Sequence, residues 1–386
     1  MTSSFASRIE RVEPSATLAI SSVAKELRAD GADVVDLSVG EPDFPTPTPI
    51  VDAGIAAMEA GHTGYTPPKG IPSLRRAIAE ELATDGLAYD PDNIIVTPGG
   101  KQALYEVFQT VVEEGDEVVL LDPAWVSYEA MAKLAGARLR RVDLTETGFR
   151  LEPAIDALTD AISDATQLLV INTPSNPTGM VYTDAALEAV RDLAVDHDVT
   201  VISDEIYKRI TYGEPPLSLA TLDDMFDRTI TVNGFSKTYA MTGWRLGYLA
   251  GPAAVIGQAA KLQSHSVSCA TNFVQHAGVT ALESVDEEVA EMVTAFEARR
   301  DHLIDRLQDA GASVPAVPDG AFYLMVPVTG NDLETCETAI QEGHVATTPG
   351  SAFGAPGYAR LSYANGIERI DEALDRLFEL GYFYTT

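Results

Sequence analysis

An α/β fold, with a large domain on a mostly parallel central sheet flanked by helices and a smaller α+β domain, is predicted by three features of this 386-residue sequence. Short β-branched runs alternate with amphipathic stretches up to about residue 250, as strands joined by crossover helices do. After Pro252 the pattern turns mainly helical, then strand-like pieces return near the C-terminus. The length suffices for a large core plus a second, smaller one. In order, strands are expected at 93–97, 117–121, 167–172, 200–204, 229–233 and 246–250, where Val, Ile and Leu dominate. Between them, residues 101–113, 127–134 and 183–197 carry helical periodicity. A long helix is expected near 286–311, strands at 321–328 and 358–363, and a last helix at 367–380. How the first 45 residues pack is not legible from pattern. The chain shows no internal repeat, low-complexity segment or long linker.

Composition narrows the class. Asp and Glu total 58 against 26 Lys and Arg, a net charge of −32, and only seven residues are lysine. Such a surface repels nucleic acid. In molar salt the Debye length falls to about 3 Å and the self-repulsion largely disappears, so adaptation to a salt-rich cytoplasm is expected. No apolar run approaches the roughly 20 residues of a membrane span. The N-terminus lacks the apolar segment of a secretory signal. Two cysteines, Cys269 and Cys336, are too few for a disulfide framework, and the six histidines form neither HExxH nor a triad-like grouping. A cytoplasmic location and no metal are expected.

Several motifs bear chemistry, and each has an ordinary structural explanation when taken alone. Gly99-Gly100-Lys101-Gln102 follows a strand and opens a helix, which suits an anion as well as a plain turn. It is no nucleotide P-loop: Ile95 stands where the first glycine belongs, and Gln102 where Ser or Thr belongs. Asp204 ends an apolar strand, the place where α/β folds put ligand groups, though it also suits a cap. Asn176-Pro177-Thr178-Gly179 reads as a turn, and Trp125 as core or as a stacking face. Arg360, in a strand-like run, offers a carboxylate the two-pronged fork that lysine lacks, or else pairs with a surface acid. Lys237, in Asn233-Gly234-Phe235-Ser236-Lys237-Thr238, is followed eight positions later by Arg245. A Schiff-base lysine, an acid for a ring nitrogen and an arginine for a phosphate are what pyridoxal phosphate needs.

Together these residues resemble the aspartate aminotransferase family of fold-type I pyridoxal phosphate enzymes, and its bacterial and archaeal subgroup in particular. The likeness runs from Pro14-Ser-Ala-Thr17 through Val39-Gly-Glu-Pro-Asp-Phe44 to Arg360-Leu-Ser-Tyr-Ala364. Its most specific part is Ser236-Lys-Thr-Tyr-Ala-Met-Thr-Gly-Trp-Arg245. The resemblance implies a division into an arm at 1–45 that joins the small domain, a cofactor-binding domain at 46–285 and a small domain at 286–386. It also implies pyridoxal 5′-phosphate held covalently by Lys237. Asp204 would meet the ring nitrogen, Asn176 and Tyr207 the ring hydroxyl, and Trp125 the ring face. The phosphate would be held by Gly99, Gly100, Lys101, Ser236, Arg245 and, from a neighbouring subunit, Tyr65. Arg360, Asn176 and Gly40 would grip the substrate α-carboxylate; Lys101, helped near Thr17, would meet a distal carboxylate. A homodimer acting on amino and 2-oxo acids follows, with L-aspartate and 2-oxoglutarate first, prephenate as the rival acceptor, and aromatic or alanine specificity third. The same fold also serves β-elimination and decarboxylation, and the motifs separate these poorly.

Overall fold

Apolar runs bounded by Gly, Asp and Asn form the strands of a central sheet in the computed structural model, which describes residues 5–14 and 16–385, without the side chains of 16–18. In chain order the first strands are β1 (Val35–Asp36), β2 (Ile94–Thr97), β3 (Glu117–Asp122) and β4 (Arg138–Asp143). Then come β5 (Thr166–Asn172), β6 (Thr200–Asp204), β7 (Thr229–Gly234) and β8 (Gly247–Ala250). The remainder are β9 (Tyr323–Pro327), β10 (Val345–Ala346), β11 (Thr348–Pro349) and β12 (Tyr358–Ser362).

Seven of them form one sheet in the order β2-β8-β7-β6-β5-β3-β4. Only β8 runs antiparallel to its neighbours; every other pairing is parallel. Helices cover both faces, so β2, β3 and β8 are buried along their whole length and read as unbroken apolar runs. The edge strand β4 differs. It exposes Arg138 and Arg140, charges that discourage pairing with another chain.

A three-stranded antiparallel sheet, β11-β12-β9, packs with the helices Asp286–Asp309, Asp332–Gln341 and Ile367–Glu379. The last of these buries Ile370, Ala373, Leu374 and Leu377, the three-and-four spacing of a one-sided helix. The segment before residue 45 is tied to this part of the molecule. β1 pairs in parallel with β10, Val35 opposite Val345, and Val35 and Leu37 sit in one core with Phe322, Leu361 and Leu374. Among the described residues no helix is long and apolar enough to cross a membrane.

Candidate active site

The carboxyl ends of the parallel strands and the loops after them enclose a cavity of about 380 Å³. Strand register puts Asn172 and Asp204 side by side at the ends of β5 and β6. The Asn172 amide donates to the Asp204 carbonyl at 2.9 Å, and its Oδ1 accepts from the Asn176 N–H at 2.8 Å. The Asp204 carboxyl is buried. Tyr128 donates to Oδ2 at 2.5 Å and the Ile206 N–H to Oδ1 at 3.2 Å. Burial pushes this carboxyl up to about 6 against the Tyr128 hydrogen bond, so it is mostly an anion at neutral pH.

Lys237 follows the end of β7, and its Nζ donates to the Gly40 carbonyl at 2.5 Å. Burial pushes the ammonium down to about 8; Glu41 opposes this, while Arg360, Arg245 and Lys101 reinforce it. A lysine so tuned is both a nucleophile and a proton carrier near neutral pH.

One end of the cavity is built for an anion. The helix Gly100–Val111 starts after Gly99, at φ 88°, with no side-chain cap, so the first N–H groups stay open. Arg245, in the left-handed region at φ 56°, donates to the Thr242 carbonyl at 2.8 Å. A Cβ on Gly99 would stand 2.6 Å from the Arg245 guanidinium, so glycine there is what lets the arginine reach the helix terminus. Ser236 lines the same cavity.

Arg360 on β12 enters from the other side. It donates to the Asn176 Oδ1 at 2.9 Å and the Ser38 carbonyl at 2.5 Å, and stacks on Tyr323 and Phe353 at 4.5 and 5.0 Å. Its Nε is buried without a partner, an unmet donor beside the cavity. Tyr207 meets the Tyr323 hydroxyl at 2.8 Å. Lys101 lies 4.9 Å from the Trp125 ring. Partial burial and then the Arg245 charge hold its ammonium below the ordinary lysine value.

Of the residues singled out in the sequence, Gly40, Gly100, Lys101, Trp125, Asn176, Asp204, Tyr207, Ser236, Lys237, Arg245 and Arg360 all line this one cavity. Tyr65 does not line it and is 90% exposed. The Thr17 side chain lies outside the described residues; Ser21, one helical turn on, lines the cavity. Tyr128, Asn172, Ser38 and Tyr323 escaped sequence reading because each resembles ordinary core or turn. One signal was available: Tyr128 follows Trp125 by three residues at the start of the helix Val126–Ala135, which puts both on one face. Among the described residues no cluster of three or more His, Cys, Asp or Glu is placed to hold a metal.

These groups fit pyridoxal phosphate: an open helix terminus beside Arg245 matches a phosphate, a buried carboxylate a pyridinium, and a low-pKa lysine an aldehyde. The sequence agrees. The family model "Aminotransferase class I and II" matches residues 32–377, and the chain belongs to that family of pyridoxal phosphate-dependent aminotransferases. Its relatives include the aspartate aminotransferase of Bacillus subtilis, 41% identical over 385 residues, covering 96% of this chain and 97% of that one. The aspartate/prephenate aminotransferase of Thermus thermophilus is 41% identical over 377 residues, covering 96% of each. Among solved structures, the Thermus thermophilus aspartate aminotransferase with maleate superposes with a TM-score of 0.94 at 40% identity, covering 98% of this chain and 100% of that one.

Proposed function

We propose that this aminotransferase moves the amino group of L-aspartate to 2-oxoglutarate by double displacement, with Lys237 as the covalent anchor and proton carrier. The observation that carries this reading is the convergence on one cavity of a low-pKa lysine, a buried carboxylate and a buried arginine with an unmet donor. When bound, pyridoxal phosphate supplies the electron sink that stabilises negative charge at the substrate Cα. The protein does the rest. Asp204 keeps the ring nitrogen positive, Asn176 and Tyr207 hold the ring hydroxyl, and Trp125 covers the ring face. Gly99, Gly100, Lys101, Ser236 and Arg245 hold the phosphate. Arg360 receives the α-carboxylate with Asn176 and Gly40, which fixes the Cα–H toward the Lys237 amine. Freed from the cofactor by the incoming amine, the Lys237 amino group would be the base that takes the substrate Cα proton and would carry it across the nitrogen to the cofactor carbon that bore the aldehyde.

Lys101 is the distal-carboxylate partner, with help from the region of Thr17. It stands at the cavity beside Trp125 in a chain with only seven lysines. The relatives named for aspartate, and the Thermus structure with maleate, a dicarboxylate, support two anion positions. A second reading, amination of prephenate through the same lysine, is favoured by the relative named for both substrates. Comparing aspartate with alanine as donor in Lys101→Ala tests the assignment: aspartate turnover falls while alanine turnover persists. Equal losses would remove Lys101 from that role.

The same reading takes the chain as a homodimer in which the exposed Tyr65 reaches the neighbouring cavity. It divides the chain into an arm at 1–45, a large domain at 46–285 and a small domain at 286–386. The free cysteines and the acidic composition support a salt-rich cytoplasm as its setting.

A further inference from the structure

Behind Asp204 lies a buried charge cluster that the chemistry above does not use. Side-chain alternation turns Ser203 and Glu205 away from the face that Asp204 presents to the cavity. Glu205 is almost wholly enclosed: Oε1 accepts from Ser203 at 2.9 Å, Oε2 accepts from Ser218 at 2.8 Å, and Lys208 Nζ stands 3.3 Å away. Lys208 is buried too. Its Nζ lies 2.8 Å from Asp85 and donates to Ser218 at 2.5 Å. A lysine kept inside, in a chain with only seven, points to a role that surface charge does not explain.

The relevant physics is the repulsion between two buried carboxylates adjacent in sequence. Asp204 serves a pyridinium only as an anion, and an uncompensated negative charge on Glu205 opposes that ionisation. Lys208 supplies the compensating charge from the turn that follows Asp204, four residues on. We propose that Lys208 is a positioning residue for the cofactor: by neutralising Glu205 it keeps Asp204 anionic and available to the ring nitrogen. This rests on the reading of Asp204 as the ring-nitrogen partner.

The other groups facing the pair are Tyr128, Tyr207 and Lys237 around Asp204, Tyr89 and Tyr248 near Glu205, and Asp85 beside Lys208. Burial pushes all four tyrosine hydroxyls upward, so they stay neutral below pH 9. Lys237, pushed down to about 8 by burial, and the cofactor's own phosphate are common to wild type and variant, so their titrations are expected to cancel in a ratio of affinities.

The test is the equilibrium dissociation constant of pyridoxal phosphate, measured by tryptophan fluorescence in high salt from pH 5 to 9. Lys208→Met, Lys208→Gln, the double variant Lys208→Met/Glu205→Gln, and Asp204→Asn are compared with the wild type. A one-unit rise in the Asp204 pKa makes the variant-to-wild-type ratio approach about tenfold at pH 5 and fall to about one at pH 9. The double variant is expected to return the ratio to a flat line, because the charge that needed neutralising is gone. Buried pairs are screened little, so high salt does not mask the effect. Lys208→Gln keeps a donor for Ser218 and gives the same pH-dependent ratio if Lys208→Met fails to fold. A weakening that ignores pH, or that Glu205→Gln does not relieve, overturns the proposal. Wild-type affinity in Asp204→Asn would instead remove the ring-nitrogen reading, and the proposal with it.

Discussion

Replacing Arg360 with lysine probes the carboxylate grip. Two of the guanidinium's donors are committed to Asn176 and Ser38, and Nε is buried without a partner, so the site holds donor capacity in reserve for a ligand. Lysine keeps the charge and loses the planar fork. A hydrogen bond to a charged group is worth about 1.5–3 kcal/mol, so losing one prong predicts a rise of about 10- to 150-fold in the substrate Kd. The assay is the single-turnover half-reaction with L-aspartate, followed by absorption of the bound cofactor. Pyridoxal phosphate affinity is measured in parallel and is expected to be unchanged. An amine lacking the α-carboxylate serves as comparator and should lose nothing further on the substitution. Equal losses for aspartate and the comparator, or a matching loss of cofactor affinity, would refute the carboxylate role.

Three further outcomes are expected. Lys237 has its ammonium pushed down to about 8, so its neutral, nucleophilic fraction grows as pH rises. The rate at which the apo-protein captures pyridoxal phosphate should therefore climb with pH and level off above about 8, where an ordinary lysine would keep climbing past pH 9. If Tyr65 acts across a dimer, mixing Tyr65→Ala chains with Lys237→Ala chains restores roughly a quarter of wild-type activity, since half the dimers then carry one intact site of two. No recovery on mixing would put Tyr65 outside the neighbouring site. Finally, the net charge of −32 predicts a melting temperature that rises between 0.1 and 3 M KCl, checked by calorimetry; a flat or falling curve would remove the halophilic reading.

The parts of the fold legible in the sequence were those buried on both faces. β3, β5 and β6 announce themselves as apolar runs ending in Asp or Asn, and the helix Asp184–Asp196 starts one residue after its Thr183 cap. β4 went unread because an edge strand bearing Arg138, Arg140 and Arg141 has no apolar run. The helices Thr48–Glu59 and Pro72–Thr84 also went unread, as did the pairing of Val35 with Val345, a contact across some 310 positions that no local pattern encodes. Among the residues that line the cavity, Lys237, Asp204, Arg245 and Arg360 were readable because their charged side chains are the kind that the proposed chemistry calls for. Tyr128, Asn172 and Ser38 act through hydrogen bonds to those residues. Their part depends on register and on chain crossings that only the folded structure supplies.

Titrating the holo-protein with L-aspartate in high salt, with the visible absorption of the lysine-bound cofactor as readout, tests aspartate-driven amino transfer most directly. Loss of the visible band on adding aspartate, and its return on adding 2-oxoglutarate, is the predicted result. A band that ignores aspartate would contradict the substrate assignment, and no band at all after reconstitution would contradict the role of Lys237.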